Sequence, residues 1–216
     1  MKGRSCIEEL RRERACMKKA YIDLHLHLDG AITAPIAMEL AEEQGISLPA
    51  GTQEELEKLI SVPKECGSLN DFLKCFELPL SLLQTREGIR RAVRLVLEEQ
   101  QREGVIYAEI RFSPQLHTRK GLSQEEVLRA ALEGLQDAPI PANLILACMR
   151  GADNQEENEE NLELARRFLT KDGGVTAVDL AGAEALFPTG DYMELFRKAK
   201  VNGIPITVHA GEADGA

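Results

Sequence analysis

The stretch Tyr21-Ile-Asp-Leu-His-Leu-His-Leu-Asp-Gly30 alternates polar and apolar residues. Successive side chains of a strand point to opposite faces, so Asp23, His25, His27 and Asp29 share one face while Ile22, Leu24, Leu26 and Leu28 share the other. The pattern predicts a strand whose polar, metal-ready face is backed by an apolar one. Two neighbouring imidazoles suit a divalent ion of the zinc type once further ligands arrive from elsewhere in the fold. A bare His-x-His is also compatible with a half-buried strand whose histidines merely face solvent.

Near the other end, Ile204-Pro-Ile-Thr-Val-His-Ala-Gly-Glu212 reads as a second short apolar strand. His209 falls at its carboxyl end, Gly211 allows a tight turn, and Glu212 lies just beyond. Three of the four histidines thus sit at the ends of two strands. The fourth, His117, follows Ser113-Pro114 and is expected in a solvated loop, away from any ligand set.

Between these ends the chain has a regular rhythm. A helix opened by Pro35 is expected over Ile36 to Gln44, and two short helical stretches, Glu54 to Ile60 and Leu69 to Phe76, are separated by Val62-Pro63. A long helix from Arg86 to Glu103 carries Ile89, Val93, Val96 and Leu97 on one face. Strands at Val105–Phe112, Asn143–Met149 and Val175–Leu180 are followed by helices at Ser123–Leu135, Asn158–Leu169 and Asp191–Val201. A strand at Ile204–His209 closes the series.

Repeated strand-then-helix order implies parallel strands with right-handed crossovers, in a closed barrel or an open doubly wound sheet. Chemistry favours the barrel, in which functional groups converge from the carboxyl ends of several strands. Neither glycine-rich phosphate loop of the open sheet is present. The expected fold class is α/β, a TIM (β/α)8 barrel with about its first five units present. It is read as one partial domain over 1–216, with a helical insertion at about 31–104 after the first strand.

The 216 residues and 44% hydrophobic content allow a sizeable core. A net charge of −10 disfavours a nucleic-acid surface, which needs concentrated lysine and arginine. Residues 1–20 lack a signal-peptide core, and no segment approaches the roughly 20 apolar residues of a membrane span. Cytoplasmic residence is the default, with no membrane partner. Cys6, Cys16, Cys66, Cys75 and Cys148 form neither a Cys-x-x-Cys pair nor an even disulfide framework and read as reduced thiols.

Five motifs then carry a resemblance. His-Leu-His-Leu-Asp-Gly at 25–30, Ser-Leu-Asn-Asp-Phe-Leu at 68–73, Tyr-Ala-Glu-Ile-Arg-Phe-Ser-Pro at 107–114, Asp-Leu-Ala-Gly at 179–182 and His-Ala-Gly-Glu at 209–212 resemble the adenosine and AMP deaminase family. The residues after His209 look like its bacterial branch. The resemblance implies that His25, His27 and His209 bind one zinc ion per site, and that a water activated there adds to C6 of adenosine to give inosine and ammonia. It implies that Glu212 donates a proton to purine N1, for which burial beneath the purine would raise its pKa. Taken alone, Glu212 could instead be a helix N-terminal glutamate.

By the same resemblance, Asp29 hydrogen-bonds the ribose 5′-hydroxyl, Gly182 offers a backbone contact to the purine, and His27 borders substrate as well as metal. Without the flanking motifs, Asp29-Gly30 would read as a turn. Asp179 either orients neighbouring groups or satisfies backbone donors. The Leu69 to Phe76 helix is either a hydrophobic gate over the purine or an amphipathic helix packed on the barrel. A strand ending in Asp179-Leu-Ala-Gly has no lysine to bridge two ions, so one metal is expected. Aspartate at position 29, where adenine deaminases tend to carry glutamate, favours the nucleoside. A related aminodeoxyfutalosine deaminase is the alternative.

The family's later histidine and paired aspartates have no counterpart before Ala216. The chain therefore reads either as part of a working deaminase or as an inactive, truncated fragment that binds metal or self-associates through exposed strand edges.

Overall fold

Among the described residues, four segments become parallel strands in the order β1-β2-β3-β4: β1 (Tyr21–His27), β2 (Val105–Phe112), β3 (Ala142–Met149) and β4 (Val175–Ala181). The computed structural model describes residues 19–62 and 65–213. Segment 1–18 with Cys6 and Cys16, Pro63 of the expected helix break, and residues 214–216 lie outside the described residues. β3 is buried along its length except for half-buried Met149, as a near-continuous apolar run must be when both faces of a parallel strand are covered.

Among the described residues, five α-helices separate β1 from β2: α1 (Ala34–Gln44), α2 (Gln53–Ile60), α3 (Leu69–Leu73), α4 (Glu77–Leu82) and α5 (Arg86–Glu103). The later crossovers carry α6 (Gln124–Gln136), α7 (Gln155–Arg167) and α8 (Met193–Val201). α5 occupies the span its periodicity predicts and buries Ile89, Ala92, Val93, Val96 and Leu97. It packs against α6, whose start is fixed by a reciprocal capping box between Ser123 and Glu126. The two helices approach closely at Gly134, where an added Cβ would lie 2.6 Å from the Arg90 carbonyl oxygen and 2.7 Å from Val93 Cβ. Only glycine fits there without moving backbone.

Several expectations need correction. The stretch expected as one helix over 69–76 is α3 followed by a 3-10 turn, Lys74–Phe76, and the chain then continues into α4, which the sequence reading missed. Pro79 sits in the first turn of α4, where its missing N–H costs no helical bond. The expected strand over 204–209 is reduced to a single parallel bridge, Val178 with Ile206. Its backbone still follows β4, through Val178 N–H to Pro205 O at 2.9 Å, Thr207 N–H to Val178 O at 2.8 Å and His209 N–H to Leu180 O at 3.0 Å.

The apolar face of β1 is covered only toward its carboxyl end. Leu28 is fully buried, whereas Ile22 and Leu24 are 62% and 54% exposed, because β1 is an edge strand paired with β2 alone. His117 is not solvated: it is wholly buried at the end of a 3-10 turn, Pro114–His117, with Nδ1 2.9 Å from the Leu83 carbonyl oxygen. That turn folds inward against the α4–α5 connection. Cys66, Cys75 and Cys148 are free thiols. No helix among the described residues is long and apolar enough to cross a membrane.

Candidate active site

The strand alternation of β1 puts His25 and His27 on one side of the sheet's carboxyl edge, and the backbone bonds from residues 205–209 to β4 bring His209 across to meet them. The three Nε2 atoms form a triangle with sides of 3.3 Å (His25–His27), 3.0 Å (His25–His209) and 3.0 Å (His27–His209). Burial, then the Arg111 charge, holds His25 below the ordinary imidazole value, while burial and the facing His209 bring His27 down to about 4. Neutral imidazoles present lone pairs, the form a metal takes.

Beneath this triangle lies a buried ion pair that the sequence reading left half assigned. Asp179 Oδ2 lies 2.8 Å from His209 Nδ1 and 3.0 Å from Arg111 Nη1. The Arg111 Nη2 donates in turn to the Leu24 carbonyl at 2.8 Å. Arg111 therefore ties β2 to β1 and β4 under the histidines. Desolvation raises the Asp179 pKa, but contact with His209 and the Arg111 charge outweigh it and leave the group below the usual carboxylate range. A carboxylate facing Nδ1 favours the tautomer with its proton there and its Nε2 lone pair free. Arg111 was not singled out from sequence; the signal was a charged residue next to the carboxyl end of a predicted strand.

A cavity of about 430 Å³ opens beside the triangle, within the range of small-molecule sites. Its walls include His25, His27, His209, Asp29, Gly182 and Glu212, so every site residue proposed from the sequence reaches one cavity. Leu69, Phe72, Leu73 and Phe76 supply an apolar wall, with Phe72 and Phe76 packed edge to face at 5.2 Å between centroids. Asp29 is 8% exposed, and burial pushes its carboxyl up to about 6 against the opposing N–H bond from Gly30. Gly182 follows β4 with φ of 107°, a conformation that leaves its backbone open to the cavity.

Glu212 is exposed. Its loop is nonetheless held firmly. Glu184 accepts three consecutive backbone N–H groups, from Gly211 at 2.8 Å, Glu212 at 2.9 Å and Ala213 at 3.1 Å. Gly211 has φ of 83°, the left-handed step that turns successive N–H groups toward one anion. The N–H groups of Ala213 and Gly211 lower the Glu184 pKa. Arg150 donates to the His209 carbonyl at 2.6 Å, to Phe187 O at 2.6 Å and to Thr189 Oγ1 at 2.8 Å. Neither residue was singled out from sequence, since both act on backbone atoms brought together only by the fold.

The family model for adenosine deaminase matches residues 20–216. The chain is 50% identical over 200 residues to the adenosine deaminase of Haemophilus ducreyi, a match covering 90% of this chain and 58% of the relative. The crystal structure of adenine deaminase from Arthrobacter aurescens is similar with a TM-score of 0.74 at 28% identity, covering 88% of this chain and 57% of that one. The apo N6-methyl-AMP deaminase from Arabidopsis thaliana is similar with a TM-score of 0.72 at 26% identity, covering 92% and 59%. The chain spans under three fifths of the length of these proteins, and its parallel sheet is part of a β/α barrel. With its histidines gathered at the carboxyl edge of that sheet and the family match running from residue 20 onward, the chain belongs to the adenosine deaminase family.

Proposed function

We propose that this chain carries the zinc site and the proton-donating carboxyl of a hydrolase that converts adenosine or deoxyadenosine, with water, to inosine or deoxyinosine and ammonia, a purine-salvage reaction. The observation that carries the reading is the triangle of Nε2 atoms at 3.0–3.3 Å. Three lone pairs that close repel one another unless a cation lies among them. Zinc–nitrogen bonds of about 2.0–2.1 Å at tetrahedral angles leave nitrogens about 3.3–3.4 Å apart, so the donor set fits one such ion. What zinc supplies when bound is an acidified water, its pKa brought from about 15.7 to about 7.

The remaining roles fall to the chain. Glu212 delivers a proton to purine N1, which makes C6 electrophilic. A purine seated against Phe72 and Phe76 excludes water from the Glu212 carboxyl, a condition that favours its protonated form. Asp29 accepts a hydrogen bond from the ribose 5′-hydroxyl, and the Gly182 backbone contacts the purine. The Leu69–Phe76 segment serves as the gate. Among the described residues lining the cavity there is neither lysine nor arginine, which supports a neutral nucleoside over a nucleotide phosphate.

The test measures zinc per chain after dialysis, and ammonia release from adenosine, adenine and AMP. One zinc per chain, lost on His209→Ala, with adenosine turned over fastest, is the expected result. Zinc binding without turnover would leave a metal-binding chain and overturn the catalytic reading; faster turnover of adenine would reassign the substrate. Glu212→Gln should retain zinc while turnover falls by about 10²- to 10⁴-fold, the usual worth of a positioned acid.

A further inference from the structure

The 209–213 segment bears both a proposed metal ligand and the proposed proton donor, yet Glu212 is exposed and the segment pairs with β4 through only a few backbone bonds. Beyond His209 its residues are exposed, so side-chain packing contributes little to holding 210–213. We propose that Glu184 and Arg150 form a two-point clamp that sets the position of this segment, and so act as positioning residues for Glu212 and His209. The proposal rests on the deaminase reading for its catalytic consequence.

The two halves of the clamp have opposite chemistry. Glu184, 7% exposed, draws the N–H groups of residues 211–213 onto one carboxylate. Arg150, 5% exposed, binds the carbonyl of His209 two residues earlier. Its guanidinium also holds Phe187 O and Thr189 Oγ1, in the same post-β4 loop that carries Glu184. The loop is thereby tied to the segment from both sides. A carboxylate filling a backbone nest is a charge-assisted contact, stronger than a neutral one, and it leaves the Glu212 side chain free for substrate. Neither Glu184 nor Arg150 lines the cavity, so neither touches substrate directly.

The experiment compares the 216-residue chain with Glu184→Ala, Glu184→Gln and Arg150→Lys by amide hydrogen exchange and by steady-state kinetics with adenosine. In Glu184→Ala, the amides of residues 211–213 should exchange about 10- to 100-fold faster, the loss expected of a charge-assisted bond, while β2 and β3 stay protected. Turnover should fall by about 10²-fold with KM little changed, the signature of a misplaced catalytic group. Glu184→Gln, which keeps one acceptor oxygen, should lie between, and it decides the matter if the alanine variant fails to fold. Arg150→Lys should weaken zinc binding by about tenfold through His209. Unchanged exchange at 211–213 would overturn the clamp, as would faster exchange with unchanged kcat. A wild-type chain without turnover would overturn the deaminase reading separately, and exchange would still decide whether the clamp exists.

Discussion

The centre of the sheet and its two flanks are built on different principles. β2 and β3, covered by α5 and α6, are held by apolar packing, with Ile110, Leu144 and Leu146 fully buried. The flanks, β1 and the 204–213 segment, carry His25, His27, His209 and Glu212 but are each paired on one side only. Their orientation depends on polar ties: Arg111 to Leu24 O, Asp179 to His209, Arg150 to His209 O and Glu184 to the 211–213 amides. Packing therefore sets the stability of the molecule, whereas directional contacts set the geometry of its chemistry.

That division breaks most visibly at the centre. Leu144→Ala should lower the unfolding free energy by about 2–5 kcal/mol, through lost burial and the cavity it leaves. Zinc affinity of the folded protein should be unchanged. A denaturant titration with a parallel metal titration checks both, and a comparable loss of zinc affinity would show that the centre and flanks are not separable.

The second-largest effect concerns His117, which belongs to the packed part although it is polar. Burial lowers its pKa from 6.5 to about 4, the bond from Nδ1 to Leu83 O notwithstanding. The unfolded chain therefore binds a proton between pH 6.5 and 4 that the folded protein refuses. Stability is full above pH 6.5 and falls by about 3 kcal/mol as pH drops through 4. His117→Asn, which retains a donor toward Leu83 O, should flatten that part of the pH–stability curve. An unaltered curve would assign the acid loss to other groups.

Legibility in the sequence follows the same division. Where burial follows the period of the element, as on one face of α5, or runs along nearly a whole strand, as in β3, the apolar pattern alone placed the elements, because water exclusion depends on residue type and spacing. The alternation Asp23, His25, His27, Asp29 likewise placed two histidines on one face, since the period of a strand is a property of the backbone geometry. His117 was misread because a Ser-Pro loop looks solvated until the chain it folds against is known. Glu184 and Arg150 escaped because most of their partners are main-chain atoms, which leave no mark in the sequence. Asp179 was ambiguous for the related reason that its partners, Arg111 and His209, are far away in the chain.

A smaller effect sharpens the contrast at the flank. Asp179→Asn keeps an acceptor for Arg111 but removes the charge facing His209 Nδ1. Partners of this kind are typically worth 10- to 100-fold in metal affinity, so zinc or cobalt binding should weaken by roughly that factor. Competition with a chromophoric chelator measures it. Affinity within about twofold of the original would mean that His209 is aimed by its backbone alone, and would shift the weight to Arg150.

The smallest effect is a comparison along one stretch of chain. Leu24 lies in β1 and Leu28 just past its end, yet Leu24 is 54% exposed and Leu28 is fully buried. Leu24→Lys should change the unfolding free energy by no more than about 0.5 kcal/mol, as is usual for an exposed site, although the same leucine four residues later is part of the core. A charge at this open edge also opposes strand-to-strand pairing between copies, so any self-association seen by sedimentation should decrease. A large stability loss from Leu24→Lys would mean that this edge is covered in solution. The flank would then be held by packing as well as by polar ties, and the distinction between the two parts of the sheet would not hold.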